Sequence, residues 1–183
     1  MAGIELLALD RITWQQVAED PVLFARQRAL TLGAEVDLLR SVGRQTVAML
    51  QRTSSIAPWT GYLAIDRLHG VIVGTCAFTA SPDAEGVVEI AYFTFPPFEG
   101  RGYASAMAVK LVEVAEGAAE IQRVRAHTLP EPNASTRILE KTGFKRAGET
   151  IDPDSGPVWR WGTRCAISTS SDELGVESAP HVN

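Results

Sequence analysis

The stretch EIAYFTFPPFEGRGYASAM, residues 89–107, joins a strand pattern to a helix pattern through two prolines and two glycines. Its first seven residues are mostly aromatic and apolar, which is typical of a β-strand. Pro96 and Pro97 end that strand, because proline has no N–H to donate to a neighbouring strand. From Ala104 onward, apolar residues recur at helical spacing. The sequence therefore predicts a strand that stops abruptly and a helix that begins directly after a glycine-rich turn.

Gly100 and Gly102 leave the start of this helix as nearly bare backbone. Unpaired N–H groups and the helix dipole make such a start a binding site for anions, and Arg101 adds a positive charge. A tight connection without any ligand explains the same residues equally well. GRGYAS lacks the Gly-Lys-Ser/Thr signature of a Walker loop. A dinucleotide fingerprint is also disfavoured, because the next strand ends in Thr128–Leu129 where an acidic residue is required.

Composition limits the class of protein. The 183 residues are 45% hydrophobic, enough for the core of one domain, and the net charge of −5 gives no overall field for nucleic acid or anionic lipid. Cys76 and Cys165 are too few for a disulfide framework or a zinc site, and we interpret them as a core thiol and a tail thiol. The N-terminal residues lack the basic segment and long apolar stretch of a signal peptide, and no apolar run approaches the roughly 18 residues that span a bilayer, so neither feature is expected. We therefore expect a cytoplasmic protein with no metal, no nucleic-acid partner and no membrane partner.

The order of predicted elements is that of a mixed α/β domain. A parallel crossover is expected from the strand at 87–95, through the glycine-capped helix, to the strand at 122–129. The other predicted elements are a first strand at 4–10, helices within 13–52, an antiparallel hairpin at 60–80, a short helix that Asn133 caps, and two final strands. Residues 164–183 have little apolar content and predict a flexible tail.

Together with PEPNASTRILEKTGF, residues 130–144, the opening stretch resembles the GNAT superfamily of acetyl-CoA-dependent N-acetyltransferases. Within it the residues most resemble the ribosomal-protein alanine N-acetyltransferase branch, well over 57–162 and in outline before that. The resemblance implies an α/β (α+β) GNAT fold, with a mixed, mostly antiparallel central sheet, a splayed strand pair and flanking helices. It implies an N-acetyltransferase domain over 1–163, divided into an N-terminal part (1–56) and a core with the CoA site (57–163), before the tail at 164–183.

The resemblance also implies a binding site for acetyl-CoA. Three residues of the interrupted strand would pair with the pantetheine arm: Phe93, Thr94 and Phe95. The pyrophosphate would lie on backbone N–H groups of Glu99, Gly100, Arg101, Gly102, Tyr103 and Ala104. Glu99 departs from the family, which often has Gln or Arg there, so its carboxylate is expected to point away and to contribute only its N–H.

Glu89 is an acid in a strand that is otherwise expected to be buried. A carboxylate there costs free energy unless it has a partner or faces a wet cleft. It is either a structural acid or the general base, acting directly or through water. His127, near the end of the next strand, is an alternative base because imidazole titrates near neutrality, or a partly exposed residue without a catalytic role.

Asn133 and Ser135 are matched to the Asn-x-x-Ser element of the family. By resemblance, Asn133 would bond the pantetheine arm or a bridging water, although it could simply cap its helix. Ser135 would donate a proton to the CoA sulfur, since the tyrosine that many relatives carry one turn later corresponds to Leu139 here. A reaction without a protein acid stays open, because a thiolate is a tolerable leaving group.

The resulting hypothesis is an N-acetyltransferase that moves an acetyl group from acetyl-CoA to a primary amine by direct transfer. The amine belongs to a protein N-terminus or to a small molecule, and the enzyme is a monomer or a homodimer. One rival is a non-catalytic acyl-CoA-binding or sensing domain. A second rival, a nucleotide-dependent oxidoreductase, predicts stabilisation by NAD(P) instead of CoA.

Overall fold

The computed structural model describes residues 3–153 and 155–165, which form a seven-stranded sheet and five α-helices. The strands are β1 (Ile4–Leu9), β2 (Gly61–Asp66), β3 (Val71–Phe78), β4 (Val87–Thr94), β5 (Arg123–Thr128), β6 (Lys145–Asp152) and β7 (Gly156–Arg164). The helices are α1 (Arg11–Glu19), α2 (Pro21–Gln27), α3 (Val36–Thr53), α4 (Tyr103–Glu116) and α5 (Ala134–Lys141). A single 3-10 turn, Pro96–Phe98, follows β4. The predicted α/β fold is confirmed.

The sheet has the order β1-β2-β3-β4-β5-β7-β6, and β4 with β5 is its parallel pair. The other neighbouring strands pair antiparallel, including the predicted hairpin of β2 and β3. Pairing between β4 and β5 is restricted to Val87–Arg123, Val88–Val124 and Glu89–Arg125. Both strands continue beyond those pairs, so the predicted splayed pair is confirmed and leaves a gap in the middle of the sheet.

Helices cover the two faces of the sheet unequally. On one face α4 and α5 bury Met107, Leu111 and Leu139 completely against the strands. On the other face α1, α2 and α3 form a second core over β1, β2 and β3, with Trp14 and Leu39 fully buried. Ala91 and Phe93 of β4 remain exposed on this second face. The side of the sheet that carries Ala91 and Phe93 is therefore uncovered beside the gap between β4 and β5 in the described structure, and we call it the open face.

The C-terminal end of the described chain is part of the folded body. Arg164 ends β7, and the side chain of Cys165 is buried beyond it. The rest of the predicted tail, 166–183, lies outside the described residues. Cys76 and Cys165 are both buried free thiols. Within the ranges 3–153 and 155–165, no helix combines the length and the apolar character that crossing a membrane requires.

Candidate active site

The register of β4 decides which of its backbone groups face the gap. In an antiparallel pair, the N–H and C=O of one residue point to the same neighbour, and the next residue points the other way. Phe95 donates its N–H to Val73 of β3 at 3.0 Å, and a Cβ at Gly74 would lie 2.3 Å from the Phe93 carbonyl oxygen. The backbone groups of Phe93 and Phe95 thus face β3. Of the three predicted residues only Thr94 turns its backbone to the gap.

Tyr92 joins Thr94 at the gap, and the sequence analysis did not select it. Both residues turn their backbone groups toward β5, beyond the last β4–β5 pair. Their hydroxyls, Tyr92 Oη and Thr94 Oγ1, are buried and have no hydrogen-bond partner in the described structure. Burial raises the pKa of Tyr92 to about 12, and Ser135 lies beside its hydroxyl without reaching hydrogen-bond geometry. Strand alternation from Glu89 could have placed Tyr92 on the face opposite that acid.

Asn133 caps α5, as the structural alternative predicted. Its Oδ1 accepts from the N–H of Thr136 at 3.1 Å, while Thr136 Oγ1 accepts from the N–H of Asn133 at 3.0 Å. The residue three places after Asn133 is Thr136, so the match of Ser135 to the Asn-x-x-Ser element is corrected. Ser135 is half-buried and faces the Tyr92 hydroxyl, whereas Leu139 is fully buried in the core.

The glycine-rich turn begins α4 with unusual backbone geometry. Gly100 and Gly102 have φ angles of 73° and 85°, a left-handed conformation that glycine adopts readily. Gly102 is the N-cap, and no side chain of the described residues caps the helix. The exposed Glu99 differs from the following residues, because its N–H already donates to the Pro96 carbonyl at 3.3 Å. The Arg101 guanidinium lies 5.8 Å from the centre of the Phe98 ring, beside these free donors.

Asp66 holds the first turn of α4 in place. The Tyr103 hydroxyl donates to Asp66 Oδ2 at 2.5 Å, which links the β2–β3 hairpin to the start of the helix. This bond is the main reason that the pKa of the Asp66 carboxyl falls to about 2. His69 Nδ1 lies 3.1 Å from the same oxygen. The side chain of Tyr103 therefore supports the turn. Only the backbone N–H of Tyr103 is available to bind an anion.

Glu89 and His127, the two candidate bases, form one pair on the open face. Glu89 Oε1 lies 3.0 Å from His127 Nδ1, and the side chains are 31% and 22% exposed. His127 Nε2 is buried and has no partner among the described residues. Glu89 also belongs to the last paired position before the gap. The structure therefore brings an acid and an imidazole together where the two strands separate.

These groups fit a ligand of the CoA type. The free N–H groups from Gly100 to Ala104 can hold an anion without any side chain. The backbone and the orphaned hydroxyls of Tyr92 and Thr94 can pair with an amide-containing arm in the gap. Among residues 3–153 and 155–165, no group of three or more His, Cys, Asp or Glu side chains is arranged to hold a metal ion.

Comparisons with known proteins agree with this architecture. A family model for the acetyltransferase (GNAT) domain matches residues 10–145. An uncharacterized N-acetyltransferase of Bacillus licheniformis, p20, is 29% identical over 108 residues, which cover 59% of this chain and 61% of that protein. The chain thus spans about three fifths of the length of this curated relative.

Two solved structures illustrate the shared fold. An aminoglycoside acetyltransferase in complex with coenzyme A and kanamycin aligns with a TM-score of 0.62 and 19% identity, covering 88% of this chain and 95% of its own. The ribosomal L7/L12 alpha-N-protein acetyltransferase RimL, in complex with coenzyme A, aligns with a TM-score of 0.62 and 15% identity, covering 91% and 97%. At these identities the likeness is one of fold alone.

Proposed function

The chain belongs to the GNAT acetyltransferase family, and from this premise we propose that it transfers an acetyl group from acetyl-CoA to a primary amine. Transfer is direct, within a complex of both substrates. The observation that carries the proposal is the Glu89–His127 pair at the point where β4 and β5 separate. Both side chains remain partly exposed on the open face beside the gap, where an amine can reach the carboxylate.

The two substrates bind on opposite faces of the gap. On the face of α4 and α5, the backbone from Gly100 to Ala104 receives the pyrophosphate, and Arg101 adds a positive charge. Tyr92 and Thr94 bind the pantetheine arm with their free backbone groups, and their hydroxyls gain the partners that they lack. Acetyl-CoA supplies the activated acetyl thioester. The amine approaches from the open face.

Proton transfer is assigned to the residues beside the gap. Glu89 accepts the proton of the attacking amine, directly or through one water, and His127 fixes the carboxylate through Nδ1. An α-amino group, with a pKa of about 7.7–8.0, needs little help to become neutral, whereas a lysine amine needs much more. Ser135, beside the Tyr92 hydroxyl, protonates the departing sulfur. The chemistry therefore favours an α-amine as acceptor.

The test is release of free thiol from acetyl-CoA in the presence of a panel of amines. Glu89→Gln keeps an oxygen for His127 Nδ1 but removes the base, so kcat should fall by about 10²- to 10⁴-fold while the Kd for CoA is unchanged. Glu85→Gln, an exposed acid in the turn before β4, is the matched control and should retain full activity.

Three results would contradict the proposal. Tight CoA binding without turnover on any amine would support a sensing domain. Thermal stabilisation by NAD(P) and not by CoA would support an oxidoreductase. Full activity of Glu89→Gln would reduce Glu89 to a structural acid.

A further inference from the structure

A cavity at the edge of the sheet is lined by four positively charged side chains. Its volume is about 580 Å³, and the cations are Arg123 of β5, Lys145 and Arg146 of β6, and Arg164 of β7. No acidic residue is among the described residues that line it. The chain as a whole carries a net charge of −5, so this concentration of positive charge is local.

Strand register places three of these cations on the open face, the face of Glu89, whereas Arg146 is opposite Trp161 and lies on the other face, over the Trp159 ring. Residues that are directly opposite in neighbouring strands carry their side chains on the same face of a sheet. Glu89 is opposite Arg125, which is opposite Gly162, which in turn is opposite Lys145. Arg123 and Arg164, two positions along their strands, therefore share this face.

The cations of the cavity are poorly compensated. Arg123 and Arg164 are directly opposite each other in β5 and β7, and like charges in that position are destabilising. Arg146 bonds Glu149 at 2.7 Å, but no carboxylate of the described chain lies within ion-pair distance of Arg123, Lys145 or Arg164. Arg123 and Arg164 are thus like charges side by side, with no carboxylate of the described chain to balance them. Such an arrangement is expected where a ligand provides the missing negative charge.

Gly162 has no side chain to fill the cavity. A Cβ at this position would lie 3.6 Å from Arg123 Cδ, so the aliphatic part of Arg123 crosses the strand where a side chain is missing. The guanidinium is thereby directed over the sheet toward β6, where Lys145 is located. Arg123 and Lys145, which come from opposite sides of β7, can thus contact the same anionic group.

We infer that the acceptor is the amino terminus of an acidic polypeptide, whose carboxylates occupy this cavity while its α-amine lies at Glu89. The inference rests on the acetyl transfer proposed above and adds the class of acceptor. Strand spacing and rise place Arg164 about 12 Å from Glu89 along the sheet. An extended peptide advances about 3.3–3.6 Å per residue, so acidic residues at about the third to fifth positions reach the cations. A polycationic amine would be repelled.

The test compares three peptides that share a free N-terminal residue and length. They carry acidic, amide or basic residues at positions three to five. The acidic peptide should have a kcat/KM about fivefold to tenfold above that of the amide peptide, the effect of a few partly exposed ion pairs. This advantage should shrink as the salt concentration rises. It should disappear in the double variant Arg123→Gln and Arg164→Gln, but persist in Arg44→Gln, an exposed arginine of α3.

A second measurement does not depend on turnover. The N-acetylated acidic peptide cannot react, but it should bind the unaltered chain more tightly than its amide analogue, and this difference too should require Arg123 and Arg164. The two ideas can therefore fail separately. If the proposed function is wrong, no peptide gives thiol release. If only this inference is wrong, thiol is released equally with acidic and amide peptides.

Three outcomes overturn the inference. In the first, acidic and amide peptides react and bind equally, or the basic peptide is preferred. In the second, a single-stranded oligonucleotide of equal charge displaces the acidic peptide and binds more tightly through the same arginines. In the third, the chain's own sequence after Cys165 is the occupant: the combined change Asp172→Asn, Glu173→Gln and Glu177→Gln raises the activity on amide and acidic peptides alike.

Discussion

Among the described residues, the buried hydroxyl of Tyr92 has no hydrogen-bond partner, a costly state for a polar group. An unsatisfied buried donor costs about 1–3 kcal/mol, so residues of this kind persist where a ligand completes them. Thr94 Oγ1 and His127 Nε2 share this property, and all three belong to the strands that border the gap. At the scale of single residues, orphaned polar atoms mark the site more clearly than charge does.

Tyr92→Phe separates stability from binding. The change removes an unsatisfied hydroxyl, so the free protein should keep its Tm or gain slightly. The Kd for CoA should rise several-fold, because the pantetheine arm loses its hydroxyl partner. Differential scanning fluorimetry without ligand and calorimetric titration with CoA measure the two effects.

Ser135→Ala serves as the comparison for the acid role. This variant should lower kcat with little change in the Kd for CoA, the reverse of the pattern for Tyr92→Phe. If both variants leave the Kd for CoA and kcat as they were, the hydroxyls beside the gap have no part in the reaction.

At the scale of elements, the two edges of β4 differ in their pairing. Its odd-numbered residues bond β3, and close approach at Gly74, where a Cβ would lie 2.3 Å from the Phe93 oxygen, keeps that edge tight. Its even-numbered residues bond β5 only up to the Glu89–Arg125 level. One strand therefore both completes the sheet and leaves unpaired backbone groups available to a ligand.

Gly102→Ala tests the start of α4 as an anion site. A side chain at a φ of 85° costs about 1–2 kcal/mol of strain wherever it occurs. Gly156, in the β6–β7 hairpin, has a φ of 76° and equally open surroundings, so Gly156→Ala reproduces the strain far from the turn. Both variants should lose similar stability in urea unfolding, but only Gly102→Ala should bind CoA more weakly. Equal CoA affinities would reject the turn as the pyrophosphate site.

The secondary-structure elements and motifs could be predicted from the sequence, but the direction in which each residue of β4 faces could not. Pro96 and Pro97 fixed the end of β4, and Gly102 fixed the start of α4, because each is a local backbone effect. Whether Phe93 or Tyr92 faces the gap depends on which residue bonds β3, and this is a tertiary property. Glu89 and His127 are 38 residues apart, so their contact became visible only once β4 and β5 were adjacent.

At the scale of the whole molecule, charge is divided between faces in a way that composition conceals. A net charge of −5 predicts no affinity for anions, yet the open face carries the cations of β5, β6 and β7. The helices explain this division, since α1, α2 and α3 cover only the half of the sheet made by β1, β2 and β3. Among the described residues no helix covers the other half, and its character is set by strand register.

The tyrosines provide a test of the whole fold through its stability at alkaline pH. All three tyrosines of the chain have a raised pKa: burial raises the pKa of Tyr62 and of Tyr92 to about 12, and the bond to Asp66 raises the pKa of Tyr103. A group with a raised folded pKa stabilises the fold fully below its unfolded value, near 10, and loses that contribution as pH rises through the folded value. Stability should therefore be insensitive to these groups below about pH 10 and fall steeply above it.

Tyrosinate absorbance and far-ultraviolet circular dichroism, followed together on raising the pH, measure this effect. Absorbance should stay low near pH 10, where a free tyrosine is half ionised, and should rise together with the loss of secondary structure. Tyr103→Phe removes the tyrosine whose pKa is raised mainly by a hydrogen bond, and the remaining two should still ionise only on unfolding. Ionisation near pH 10 with intact secondary structure would mean that Tyr62 and Tyr92 are open to solvent, and the packing of the sheet face under α4 and α5 would need revision.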